Sequence, residues 1–165
     1  MDFNAILKKI ESYGCNLVEI TGGEPLLQSN TIDFISILIN KSYKVLLETN
    51  GSISIESISH ECIKIVDIKC PSSNESLSNL ETNLKLLTNK DELKFVIGTR
   101  SDYEFAKDFI LSKVGNLSSE KIHLSPVFGI MEPEILAAWI LQDNLNARMS
   151  LQMHKIIWDK DKRGV

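Results

Sequence analysis

Short apolar runs alternate along this chain with segments whose apolar positions recur every three or four residues, and that alternation is the signature of strands and helices taken in turn. Residues 3–13 place Phe3, Ile6, Leu7 and Ile10 on one helical face, with Lys8, Lys9 and Glu11 opposite. Leu17, Val18, Glu19 and Ile20 alternate as a first strand. Asn30 or Thr31 is placed to cap a helix with the stripe Ile32, Ile35, Leu38 and Ile39. Residues 44–49 and 63–69 read as the second and third strands, the latter stopped by Cys70 and Pro71. Leu77, Leu80, Leu84 and Leu87 predict a helix stripe, and residues 93–97 a fourth strand that breaks at Gly98. Ser101 with Glu104 predicts a capping box opening a helix that turns Phe105, Phe109 and Ile110 inward. Residues 122–126 read as a fifth strand, Pro133 as the first turn of a helix with Ile135, Leu136, Trp139 and Ile140 inward, and residues 148–153 as a sixth strand.

Such alternation calls for an α/β fold with a parallel sheet and crossover helices rather than a sandwich. About six strands alternating with helices predict a partial, incomplete TIM-like barrel. No linker or low-complexity block divides the chain, so residues 1–165 are expected to form one domain. In such folds the loops after the strands carry the site. Four chemically distinctive stretches fall there: Thr21-Gly22-Gly23-Glu24-Pro25, Glu48-Thr49-Asn50-Gly51, Asp67-Ile68-Lys69 and Ser125-Pro126-Val127-Phe128. Two adjacent glycines let the backbone turn sharply and approach a ligand, although a plain tight turn explains a bare Gly-Gly pair equally well. Asp67 and Lys69 share a strand face, which fits either a rim salt bridge or an ammonium placed for a ligand carboxylate.

Composition narrows the classes. The 165 residues are 43% hydrophobic, enough for a real core, and the net charge of -4 argues against a phosphate-neutralising face and hence against nucleic acid as a partner. Neither a bilayer-length apolar run nor a signal-peptide pattern stands in the sequence, so no membrane association and a cytoplasmic location are expected. Cys15, Cys62 and Cys70 are widely spaced, which suggests neither a disulfide framework nor a paired-cysteine metal site, and Cys15 is expected to be a small buried filler. His60, His123 and His154 show no metal-ligand spacing. No metal ligand is assigned.

Taken together, Thr-Gly-Gly-Glu-Pro, Glu-Thr-Asn-Gly, Asp-Ile-Lys-Cys-Pro-Ser-Ser, Leu-Lys-Phe-Val-Ile-Gly, Ser-Pro-Val-Phe-Gly and the ending Leu-Gln-Met-His-Lys-Ile-Ile-Trp through Lys-Arg-Gly-Val resemble 7-carboxy-7-deazaguanine synthases of the radical S-adenosylmethionine superfamily. The resemblance runs over nearly the whole chain. It implies a ring contraction of 6-carboxy-5,6,7,8-tetrahydropterin to 7-carboxy-7-deazaguanine with loss of ammonia, in queuosine and deazapurine biosynthesis. It further implies S-adenosylmethionine, a 4Fe-4S cluster and Mg2+ as cofactors, and it favours a homodimer. By the same resemblance, Gly22, Gly23, Glu24, Asp67, Ile68, Lys69, Ser125, Pro126, Val127 and Phe128 would contact S-adenosylmethionine. Thr21 and the carboxylate of Val165 would bind the pterin. One departure stands out: the family's short three-cysteine cluster motif has no counterpart in these residues. The expectation is therefore a C-terminal portion of such a synthase, inactive by itself; the alternative is a non-catalytic module that binds S-adenosylmethionine or a pterin, or a subunit completed by a separate polypeptide.

Overall fold

The computed structural model describes residues 2–115, 117–159 and 162. Helix α1 (Phe3–Glu11) is capped by Asp2, whose carboxylate accepts from the Asn4 amide. It leads to β1 (Leu17–Ile20), α2 (Thr31–Asn40), β2 (Lys44–Thr49), β3 (Ile63–Ile68), β4 (Glu92–Ile97), α3 (Arg100–Lys113), β5 (Ile122–Pro126), α4 (Pro133–Gln142), β6 (Arg148–Met149) and α5 (His154–Ile157). Every strand pairs in parallel with the next, so sheet order equals chain order from β1 to β6. Among the described residues β1 and β6 each have a single neighbour. The sheet is an open arc, an incomplete TIM-like barrel.

Side-chain alternation divides each strand between two faces. Val45, Leu47, Val66, Ile68, Leu93, Phe95, Ile97, Ile122 and Leu124 are buried on the helix-covered face, packed with Ile35, Leu38, Tyr103, Ala106, Phe109 and Leu136. Lys64 shares that alternation with Val66 and Ile68 and is also buried, where its ammonium lies 3.2 Å from Asp91 and 3.3 Å from the Cys62 carbonyl. The other face carries Glu19, Glu48, Asp67, Lys94, Glu92 and His123. That charged concave face would be the inside of a closed barrel.

Five local expectations differ from the structure. The leucine stripe of residues 77–87 forms no α-helix but two 3-10 turns, Ser76–Ser78 and Glu81–Leu86, and Leu77 is fully exposed. The reason lies in two asparagines. Asn79 bonds both the amide and the carbonyl of Lys69, and Asn83 accepts from the Ile55 amide while donating to the carbonyls of Gly51 and Ile53. Those side chains stitch the segment to neighbouring loops, in competition with helical bonds.

The capping box of α3 is made by Thr99 and Asp102, two residues before the predicted pair. β6 closes after two residues instead of extending to 153. Cys15 is exposed rather than buried, and Ile32 and Ile135 lie toward solvent at the flanks of their helices.

Candidate functional site at the strand carboxyl ends

At the end of β1 the chain needs glycine twice over: Gly22 has φ 104° and Gly23 φ 59°. Those turns carry Glu24 back under the sheet rim, where it is buried. Its Oε1 accepts from the Leu26 amide at 2.9 Å, and its Oε2 from the Thr49 hydroxyl at 2.8 Å and the Asn50 amide at 2.7 Å. Glu24 therefore ties the end of β1 to the end of β2. Thr21, on the concave side, donates to Glu48 Oε2 at 3.4 Å, and Glu48 Oε1 accepts from Lys94 at 2.5 Å. This second link passes across β3 and joins the β1 end to β4.

At the end of β3 the arrangement is different. Lys69 Nζ lies 2.6 Å from Asp67 Oδ2, while Asp67 Oδ1 is buried without a hydrogen-bond partner. Burial pushes the Asp67 carboxyl above its ordinary range, and Lys69 only partly offsets this. Both residues line a cavity of about 590 Å³ with Ile68, Val96, Gly98, Val127, Ile130 and Gln152 among its walls. That volume is within the roughly 300–1,000 Å³ of small-molecule sites. Gly98 helps to keep it open, because a Cβ there would lie 3.4 Å from Asp102, Ser72 and Val127 atoms.

The cavity floor is held by Asp102, fully buried at the start of α3. Its Oδ1 accepts from the Ser72 amide, and its Oδ2 from the Ser72 hydroxyl, the Gly98 amide, and the Thr99 amide and hydroxyl. Burial pushes that carboxyl up, yet the bonds from Ser72, Gly98 and Thr99 win and hold it below its ordinary value. The loops after β3 and β4 are thereby locked together.

At the end of β5, Ser125 and Pro126 are buried; beyond it Val127 is half-buried and Phe128 exposed. The Val127 amide continues the ladder to the Ile97 carbonyl at 2.9 Å. Pro126 and Phe128 face a neighbouring hollow of about 370 Å³ with Leu151, Gln152 and Ile156. Gln152 borders both spaces.

Of the residues singled out from sequence, Asp67, Ile68, Lys69 and Val127 are thus brought into one cavity. Pro126 and Phe128 meet at the adjoining hollow, and Ser125 lines neither. Thr21, Gly22, Gly23 and Glu24 stand two strands away at the end of β1, where Thr21 is joined through Glu48 to Lys94 of β4. Val165 lies outside the described residues. Sequence reasoning missed Asp102 and Gln152. Asp102 had a signal in the Thr99-x-x-Asp102 spacing, whereas an unsatisfied Gln152 had none, because burial of one side-chain atom depends on the packed loops.

Among the described residues no group of three or more His, Cys, Asp or Glu could hold a metal ion. Cys62 and Cys70 are buried thiols pushed up to about 11 and about 12 by burial, which does not fit the thiolates of an iron–sulfur cluster. Nor is any described helix long and apolar enough to cross a membrane.

No family model matches the chain. Curated relatives do. It is 40% identical over 168 residues to the 7-carboxy-7-deazaguanine synthase of Chlorobaculum tepidum, with all of this chain and 76% of that protein covered. Against the enzyme of the same name from Koribacter versatilis it is 41% identical over 162 residues, covering 90% of this chain and 72% of the relative. The Clostridium acetobutylicum protein of that name is 37% identical over 166 residues, covering 97% and 74%. The chain thus spans about three quarters of the length of these relatives. With the parallel open barrel and the clustered strand-end loops, this places the chain in the 7-carboxy-7-deazaguanine synthase family.

Proposed function

We propose that the cavity at the ends of β3 to β5 binds S-adenosylmethionine, and that the charged concave face beside it receives the pterin in the family's ring contraction to 7-carboxy-7-deazaguanine. One observation carries this reading: Asp67 Oδ1 is buried and unpaired in a cavity of suitable size, next to the Lys69 ammonium. An unsatisfied acceptor costs about 1–3 kcal/mol, which a ligand hydroxyl or amino group offsets by donating to it. Lys69 supplies the opposite charge for the ligand's carboxylate, as a point charge suited to that role. Val96 and Val127 offer an apolar wall for its base. The bound cofactor would supply the radical chemistry; the residues described here bind, orient and desolvate it.

Gly22 and Gly23 give the β1 end its turn, so that Thr21 with Glu48 and Lys94 presents hydroxyl, carboxylate and ammonium groups toward the concave side for a polar heterocycle. The buried thiols of Cys62 and Cys70 do not suit the iron–sulfur cluster, and no step is assigned through it. By this reading the 165 residues alone bind the cofactor without turning over, and cluster ligands would come from other residues of the protein or from a partner.

Calorimetric titration with S-adenosylmethionine tests the proposal. Saturable binding is expected, weakened at least tenfold by Asp67→Ala while the thermal midpoint stays near that of the parent chain. Absence of binding by the parent chain would sink it.

A further inference from the structure

Of the two strands with a single neighbour, β1 offers the longer free edge, four residues against two in β6. Its helix-side residues are short of cover. Val18 and Ile20 are only half-buried, whereas their register partners on β2, Val45 and Leu47, are 1% and 0% exposed. Beside Ile20 lies a hollow of about 310 Å³ bordered by Phe3 and Ile6 of α1 and Phe34 of α2. A free edge is commonly guarded by lysine, proline or a bulge. Leu17-Val18-Glu19-Ile20 holds no lysine or proline and runs in unbroken register with β2.

The single charge on this edge is Glu19, on the concave side. Among the described residues it has no hydrogen bond or ion pair. Partial burial and then the Glu48 carboxylate push its carboxyl above the ordinary range; Lys94 draws it down, but its ammonium is committed to Glu48 at 2.5 Å. A cation on the outer side of β1 would answer Glu19. A second copy of the chain does not supply one, because a two-fold pairing of β1 edges is antiparallel, in a sheet otherwise wholly parallel, and sets two acidic edges against each other. About a quarter of the length of each of the three curated relatives described above has no counterpart in this chain.

We infer that the outer edge of β1 receives a parallel strand from a segment outside these 165 residues, with apolar side chains toward the hollow at Ile20 and a basic side chain facing Glu19. Alternation along a strand makes both demands compatible: neighbouring residues serve opposite faces. Backbone bonds supply the hold, and the Glu19 charge selects the partner by rejecting acidic strands. The pairing is independent of what the cavity at the ends of β3 to β5 binds.

The probe is the portion of the Chlorobaculum tepidum relative that this chain does not match, co-expressed with the full chain. The two polypeptides are expected to purify together, with amide exchange slowed in residues 17–20 and unchanged in residues 148–149. Glu19→Lys should weaken the complex by roughly tenfold or more, and Glu19→Gln by less, since the first repels the basic side chain and the second only ceases to attract it. Both variants should keep the thermal midpoint of the parent chain, which separates a lost contact from a lost fold. Failure of the polypeptides to associate, slowed exchange at β6 in place of β1, or a complex indifferent to Glu19→Lys would each overturn the inference.

Discussion

Three buried carboxylates near the strand carboxyl ends, Asp102, Glu24 and Asp67, are treated in opposite ways. Asp102 accepts five hydrogen bonds and Glu24 three, and each joins two loops. Asp67 has one oxygen on Lys69 and the other on nothing. A buried charge with every lone pair answered is a fastener, while one left partly unanswered carries a cost that only a ligand or a proton removes. The difference separates the scaffold from the place where binding is expected, and it can be broken by substitution.

The largest effect is expected at Asp102. Asp102→Ala leaves the Ser72, Gly98 and Thr99 donors without their acceptor, which should cost about 3 kcal/mol and lower the thermal midpoint by roughly 6–12 °C. Urea unfolding at several pH values sharpens the test. The folded-state carboxyl is held below the ordinary 3.8, so its stabilisation is present above that value and is lost as pH falls through the lowered one. The gap between parent and variant should therefore close only in strong acid. A gap that closed near neutrality would contradict the assigned bonds.

Glu24→Gln should have a smaller effect of about 2 kcal/mol, read from the urea midpoint. One carboxylate oxygen becomes an amide nitrogen that must face either the Leu26 amide or the Thr49 and Asn50 donors. An unchanged midpoint would mean that the β1 and β2 ends are not tied through this side chain.

Asp67→Ala is expected to change stability least, by under about 1 kcal/mol, because the lost Lys69 contact is set against the removal of an unanswered buried oxygen. Its pH dependence runs opposite to that of Asp102. The Asp67 carboxyl is raised in the folded state, so its favourable contribution is full below 3.8 and disappears as pH rises through the raised value. The variant should accordingly gain on the parent as pH rises across that window. Denaturant midpoints measured on either side of it would show the crossing, or refute it by moving in parallel.

The rim on which the candidate site is proposed was legible in the sequence. Thr21 to Glu24, Asp67 to Lys69 and Ser125 to Phe128 were marked because they follow apolar strand runs, and in a parallel sheet all strand ends of one sense lie on one rim. What that logic could not tell was how the rim is divided. Glu24 and Asp67 look alike in sequence, each a carboxylate at a strand end, and only the positions of Leu26, Thr49 and Asn50 make the first a fastener. The leucines of residues 77–87 show the converse failure: a good helical period was overruled by Asn79 and Asn83, whose partners lie far away along the chain.

By itself, then, the sequence determined the strand order, the parallel sheet and the rim formed by the strand ends, because period and turn chemistry are local and sheet sense follows from crossovers. Only the tertiary structure decided which polar atoms found partners. Satisfaction of a buried group depends on neighbours brought from distant segments, Ser72 to Asp102 or Thr49 to Glu24, and on where none arrives, as at Asp67 and Gln152.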